Sequence, residues 1–263
     1  MGRGEVKSQH MRTWLLVSVA LFVALPGVAA AQRIELDGRY WIPEVSARAK
    51  IEGGSLPGTE FDFVKDLGID DEPLPDLRLS IFTGPNSKLR LAYAHAAFEG
   101  DTTIGRTIQF NGTDYPASTR VVSELELHYL RLGWIWQLPM IPGKLRAGPV
   151  LEAKGFVIEA TLKAPATTPP LRETERFAIA LPSIGLAIDL TPHPVVDLFA
   201  EVSGLTLGDR GHVVDAEAGV RVNLSKFFAI IGGYRLFEIR GEEDSSFARL
   251  RLSGPFVGAT LRF

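Results

Sequence analysis

Residues 256 to 263 read Phe256-Val257-Gly258-Ala259-Thr260-Leu261-Arg262-Phe263. Val257, Ala259, Leu261 and Phe263 fall on one side and Phe256, Gly258, Thr260 and Arg262 on the other. A period of two places alternate side chains on opposite faces of a β-strand. The pattern is clearest over 214–224, where Val214, Ala216, Ala218, Val220, Val222 and Leu224 oppose Asp215, Glu217, Gly219, Arg221 and Asn223. A charged face of this kind has no place in the core of a soluble sandwich or lipocalin-like barrel, which would bury the apolar face inward. In a barrel that crosses a bilayer the apolar set meets lipid and the polar set lines the lumen.

The remaining composition fits that solution. Hydrophobic residues make up 46% of the 263-residue chain. Beyond residue 31, however, no run reaches the 18 or so consecutive apolar residues of a transmembrane helix. The apolar residues alternate instead of clustering. Arg3, Lys7 and Arg12 precede an apolar run from Trp14 to Leu25, then Pro26-Gly27 and Ala29-Ala30-Ala31. That order predicts a secretory leader over 1–31, cleaved near Ala31, and a mature domain over 32–263. Without Arg3, Glu5, Lys7 and Arg12 the formal charge moves from −3 to about −5. An acidic balance argues against a nucleic-acid partner. The chain has no cysteine, so an exported domain cannot rely on disulfides, and the hydrogen-bond ladder of a closed barrel is the expected source of stability.

Ten strands are predicted, at about 34–51, 75–83, 88–99, 118–137, 144–160, 174–190, 195–206, 212–224, 227–240 and 247–263. Eight or twelve stay open, because 103–116 reads either as a loop hairpin tipped by Asn111-Gly112 or as part of the wall. Tight connections at 84–87, 139–143, 191–194 and 225–226 alternate with others at about 52–74, 100–117, 161–173, 207–211 and 241–246. Short periplasmic turns against longer outer loops are the asymmetry of a transmembrane barrel. Apolar phase changes near Pro43, Pro182-Ser183 and Gly254-Pro255 predict bulges that restore the lipid-facing side, or else strand breaks. Trp134 and Trp136 share a face beside a tight turn, as in an interfacial aromatic girdle.

These features together resemble small Gram-negative outer-membrane β-barrels of the uncharacterised outer-membrane barrel-domain kind, with an OmpA/OmpW-like architecture. The pieces that carry the resemblance are Asp66-Leu67-Gly68-Ile69-Asp70, Gly232-Gly233-Tyr234-Arg235 and Ser253-Gly254-Pro255-Phe256-Val257-Gly258. The resemblance implies an all-β, antiparallel up-and-down transmembrane barrel. It also implies outer-membrane lipids and lipopolysaccharide as surroundings, and recognition of the terminal strand by the barrel-assembly machinery. Phe263 matches that signal. Leu261 stands where an aromatic residue is expected.

The predicted lumen carries both signs of charge: Arg78, Arg90, Glu124, Glu126, His128, Arg146, Glu152, Lys154, Asp197, Glu201, Asp215, Glu217, Arg221 and Arg262, with Arg48, Lys50 and Asp189 beside them. Buried charges need partners or water. The set therefore predicts either an interlocked plug or a narrow, weakly selective passage for a small solute or ion. An outer-membrane hydrolase is the rival class. Lipid deacylases and lipases of this architecture use a serine activated by histidine, yet no His-x-Ser occurs here. Glu126 and His128 share a face as a possible base and orienter. Asp209, His212 and Asp215 lie near a barrel mouth, where a protease would place them. The sequence contains no metal-spaced His/Cys cluster and no phosphate-binding glycine loop, so no catalytic residue, metal or cofactor is expected.

Overall fold

The computed structural model describes residues 33–50, 60–243 and 246–263. The expected leader over 1–31 and its cleavage near Ala31 lie outside the described residues.

Ten wall strands run antiparallel in chain order. The first is Ile34–Trp41 continued by Glu44–Lys50; the second is Leu74–Phe82, the third Ser87–Thr103, the fourth Arg120–Trp136 and the fifth Leu145–Ala164. The sixth is Leu171–His193, the seventh Val196–Thr206, the eighth Gly211–Asn223, the ninth Phe228–Glu243 and the tenth Ser246–Arg262. The tenth strand pairs back onto the first, from Glu35↔Arg262 to Trp41↔Phe256, and the sheet closes. At this seam the Ile34 N–H donates to the Phe263 carbonyl at 3.1 Å and the Phe263 N–H to the Ile34 carbonyl at 2.9 Å. We call the end bearing this seam residue and the tight turns the lower end.

The expected bulges are not formed. Trp41↔Phe256 and Glu44↔Ser253 belong to one unbroken register across Pro43. The fifth and sixth strands pair without a shift from Leu145↔Leu190 to Ala164↔Leu171, straight through Pro182. The ninth and tenth do the same through Pro255. The pleat never changes phase; the polarity of each face changes with height. On the fourth strand Leu130, Leu132, Trp134 and Trp136 point outward and Arg131 inward. Higher on the same strand the outward residues are Glu124 and Glu126, while Val121, Leu125 and Leu127 are buried.

The whole wall repeats this inversion. The lower outer surface exposes Leu36, Leu77, Leu91, Leu132, Leu151, Leu186, Leu198, Ile230 and Val257 in a band. Such a band is what a lipid-facing barrel wall requires, because only a closed barrel or a helix satisfies its backbone in hydrocarbon. Trp134 and Trp136 are 44% and 50% exposed at its lower edge and stack with centroids 6.4 Å apart. Tyr40, Tyr93 and Tyr234 mark its upper side. Trp41 instead points inward, with its indole N–H donating to the Gly254 carbonyl at 3.1 Å.

Above the band the wall continues. Strand reaches into segments expected to be outer loops at 161–173 and 241–246: the fifth and sixth strands extend to Ala164 and Leu171, the ninth and tenth to Glu243 and Ser246. The described parts of the two long connections, residues 60–73 and 104–119, fold over the upper mouth. Residues 103–116 form a separate hairpin, Ile108–Phe110 with Thr113–Tyr115, turning at Asn111 and Gly112 with φ of 48° and 80°. Positive φ at both positions is why Asn-Gly occupies this turn. Phe61, Phe63, Leu67, Ile69, Ile104, Ile108, Phe110 and Tyr115 are buried against Phe98, Val121, Leu125 and Leu162 of the wall. The loop docks where Gly100 lacks a side chain: a Cβ there would lie 2.3 Å from the Leu67 carbonyl oxygen.

Polar bonds pin the cap. Burial disfavours the Asp66 carboxylate, but the Asp62 N–H at 2.9 Å and the Arg106 guanidinium at 2.7 Å outweigh it and hold its pKa below the usual range. Burial and Glu173 push the Tyr115 hydroxyl up to about 12, and it donates to the Leu162 carbonyl at 3.0 Å.

Candidate functional site

The lower lumen is filled by charge. Arg78 on the second strand forks onto Glu217 of the eighth, both N–O distances being 2.7 Å, and donates to its own strand's Asp76 at 2.8 Å. Arg235 on the ninth strand grips Asp215 at 3.0 and 2.8 Å and reaches Asp76 at 2.7 Å. Arg131 and the Tyr129 hydroxyl also donate to Asp215, at 3.1 and 2.8 Å. Arg39 completes the layer, 3.1 Å from Glu217 and 3.4 Å from Asp37. Bidentate guanidinium–carboxylate pairs are the strongest and most directional ion pairs available to a protein.

A second cluster adjoins it. Arg90 donates to Glu152 at 2.7 Å and to Glu201 at 2.9 Å. Lys154, fully buried, donates to the Ser203 hydroxyl at 2.8 Å, which in turn donates to Glu152 at 2.8 Å. The register explains why these contacts must cross the lumen. Arg131 sits directly opposite Lys154, and Glu201 directly opposite Glu217. Like charges paired across neighbouring strands repel. Each is compensated from a distant strand, Asp215 serving the first pair and Arg78 and Arg90 serving the second. The network is therefore satisfied only when the barrel is closed.

Aromatic rings roof the charges. Tyr129, Phe156 and Phe237 pack with centroids 4.6 to 5.5 Å apart, and the Arg235 guanidinium lies 4.7 Å over Trp41. Below the network, Arg262 bonds Glu35 and Asn223 at 3.0 and 2.7 Å, and Asn223 bonds Asp197 at 2.9 Å. Gln137 bonds Asp189 at 2.7 Å, and Arg146 donates to the Pro85 carbonyl at 2.7 Å. A cavity of about 30 Å³ remains at this lower rim, lined by Glu35, Arg39, Lys88, Glu217 and Arg221 among others. That is room for about one water molecule.

Most of the expected lumen set lies where the alternation puts it. Arg78, Arg90, Glu152, Lys154, Glu201, Asp215 and Glu217 form the network, and Arg146, Asp197, Arg221 and Arg262 lie around its lower side. Glu124, Glu126 and His128 do not belong to it. They face outward on the upper fourth strand, because Leu125, Leu127 and Tyr129 take the interior there. Arg48 likewise faces outward and bonds Asp62 at 3.2 Å. Glu35, Asp37, Arg39, Arg131, Tyr129 and Arg235 were missed. Their signal was present in the alternation: Glu35, Asp37 and Arg39 interleave Leu36, Gly38 and Tyr40, and Arg131 stands between Leu130 and Leu132.

The hydrolase-like groupings come apart. His212 faces outward and pairs with Glu238 at 3.1 Å, whereas Asp215 is buried in the lumen with three cations. Glu126 and His128 do share a face, 3.9 Å apart, with His95 stacked on His128. The Ser203–Lys154 contact has nucleophile–base geometry, but both side chains are buried and neither lines the lower-rim cavity.

No protein-family model matches the chain, and no curated protein matches it in sequence. Solved structures match its fold. The outer-membrane protease OmpT of Escherichia coli superposes with a TM-score of 0.58 at 7% identity, covering 91% of this chain and 99% of its own. The translocator domain of the autotransporter NalP from Neisseria meningitidis gives 0.47 at 10% identity, over 97% and 95% of the two chains. Ail, the attachment invasion locus protein of Yersinia pestis, gives 0.37 at 12%, over 89% and 100%. The chain shares the closed antiparallel barrel fold of the first of these.

Proposed function

We propose that this protein is a closed outer-membrane barrel: its lower half anchors it in lipid, and its upper half holds a folded surface outside the bilayer. The observation that carries this reading is the lower lumen, where guanidinium and carboxylate groups from eight of the ten strands interlock around a residual space of about 30 Å³. A passage for solute would have to break several buried, mutually dependent ion pairs, each costing on the order of 3–5 kcal/mol when one partner is removed. Lipid and lipopolysaccharide are then its surroundings rather than its cargo. In this reading Leu261 and Phe263, on the lipid-facing side of the seam strand, serve recognition by the assembly machinery.

The reading is non-enzymatic. It rests on the dispersal of Asp209, His212 and Asp215 and on the burial of Ser203 with Lys154. The narrow-channel alternative draws on the lower-rim cavity, whose mixed charges would discriminate poorly between ions.

The test is planar-bilayer recording with purified, heat-modifiable protein. The proposal expects no current steps above the empty-membrane background. Reproducible unitary steps from folded protein would overturn it. Recovery of the expressed chain in the outer-membrane fraction is expected, and recovery from the soluble periplasm without detergent would contradict the anchoring half.

A further inference from the structure

One side-chain cluster lies outside the lumen and plays no part in the anchoring role. His95 on the third strand is the direct cross-strand partner of His128 on the fourth. Their rings stack with centroids 4.6 Å apart. Glu126, two residues before His128 and on the same outward face, brings its Oε2 to 3.9 Å from His128 Nε2. One ligand atom from each of the three residues falls within 4.8 Å of the other two. We propose that His95, His128 and Glu126 form a binding site for a divalent transition metal, Zn2+ or Ni2+, on the outer wall of the barrel.

Three further features support a metal here. The first is the donor set: two imidazoles and one carboxylate are a three-ligand zinc set, which leaves the fourth tetrahedral position open. The second is orientation. The Tyr93 hydroxyl lies 2.9 Å from His128 Nδ1. With Nδ1–H donating to the tyrosine oxygen, Nε2 carries the free lone pair and points toward Glu126. Metal-bound histidines are held by such a partner on their other nitrogen. The third is charge. Glu126 sits directly across from Glu159. Like charges so paired are unfavourable, and a dication bound at Glu126 would relieve them.

The location makes the site reachable. Tyr93 and Leu130 end the apolar band, and His95 and His128 occupy the next outward row above them. The open ligand position therefore faces the water-filled headgroup layer rather than hydrocarbon. No sequence motif announces the site, because its members come from two strands and meet only through the register.

Tag-free protein, folded in detergent and stripped with chelator, is titrated with Zn2+ and separately with Ni2+ against a chromogenic chelator. One equivalent is expected to bind per barrel. H95A, H128A and E126Q should each weaken that binding by tenfold or more, and Y93F, which touches no metal, by about tenfold through His128. All four substitutions lie on the outer wall and should leave heat-modifiability unchanged, which separates loss of metal from loss of fold. X-ray absorption at the zinc edge should show two imidazole ligands. Absence of a stoichiometric site in the wild type, or full retention of binding in the H95A/H128A double variant, would overturn the proposal.

Discussion

The lower and upper halves of this barrel are built on the same strands yet solve opposite problems. On the fourth strand, Arg131 faces in and Leu132 faces out; a few residues higher, Leu127 faces in and Glu126 faces out. The backbone pleat is continuous between them. In the proposed outer-membrane setting the surroundings below are apolar, so apolar groups go outward and polar groups must satisfy one another inside. Above, in that setting, water surrounds the wall, so the ordinary rule of an apolar core returns. The lower half is held by directional ion pairs and the upper half by packing of Phe61, Phe98, Phe110, Leu125 and Leu127. The sign of an alternating pattern thus reports the solvent at that height, while its phase reports the register.

The largest effect should come from breaking the lower half. D215A removes the shared partner of Arg131, Lys154 and Arg235. Leaving those charges uncompensated should cost about 3–5 kcal/mol, read as a lower urea midpoint for protein folded in lipid vesicles. The matching change above is L127A. It leaves a cavity in an apolar core and should cost about 2–5 kcal/mol on the same unfolding curve. L132R places a cation on the outer face in the middle of the apolar band, with an expected loss of about 2–4 kcal/mol.

Two smaller effects sharpen the contrast. Asp66 has a depressed pKa in the folded cap. Its contribution is therefore complete above the pKa of the unfolded carboxylate and is lost as pH falls through the folded value. Acidification should loosen the loops before it unfolds the barrel, seen as earlier proteolytic nicking between residues 60 and 73. R106A should reproduce that nicking at neutral pH, with a cost below about 1 kcal/mol because the pair is partly exposed. E99R changes the outer face of the upper wall, where water already solvates charge. It should shift stability by no more than about 0.5 kcal/mol, in contrast to the same kind of change at Leu132.

Much of the lower half was legible in the sequence. The alternations at 214–224 and 256–263 gave the correct faces for Asp215, Glu217, Arg221, Leu261 and Arg262, and the tight turns gave the strand order. The upper half was not legible in the same way. Reading every apolar residue as lipid-facing sent Glu124, Glu126 and His128 into the lumen and required bulges at Pro43, Pro182 and Pro255. The error lay in assuming one solvent along the whole strand. Where the wall leaves the band, the faces exchange polarity and no phase change is needed. The cross-lumen pairings, such as Arg78 with Glu217, were hidden for another reason: they join residues far apart in sequence, and only closure brings them together.

The central claim is that one uninterrupted strand passes from lipid into water. The chain contains no cysteine, so single cysteines at 124, 126, 130, 131, 132 and 134 can each carry a spin label without background. In protein folded into bilayers, collision with oxygen should be high at 130, 132 and 134, and collision with a water-soluble nickel complex high at 124 and 126. Position 131 should be shielded from both. Equal access to the nickel complex at 126 and 132, or oxygen access at 131, would contradict the account.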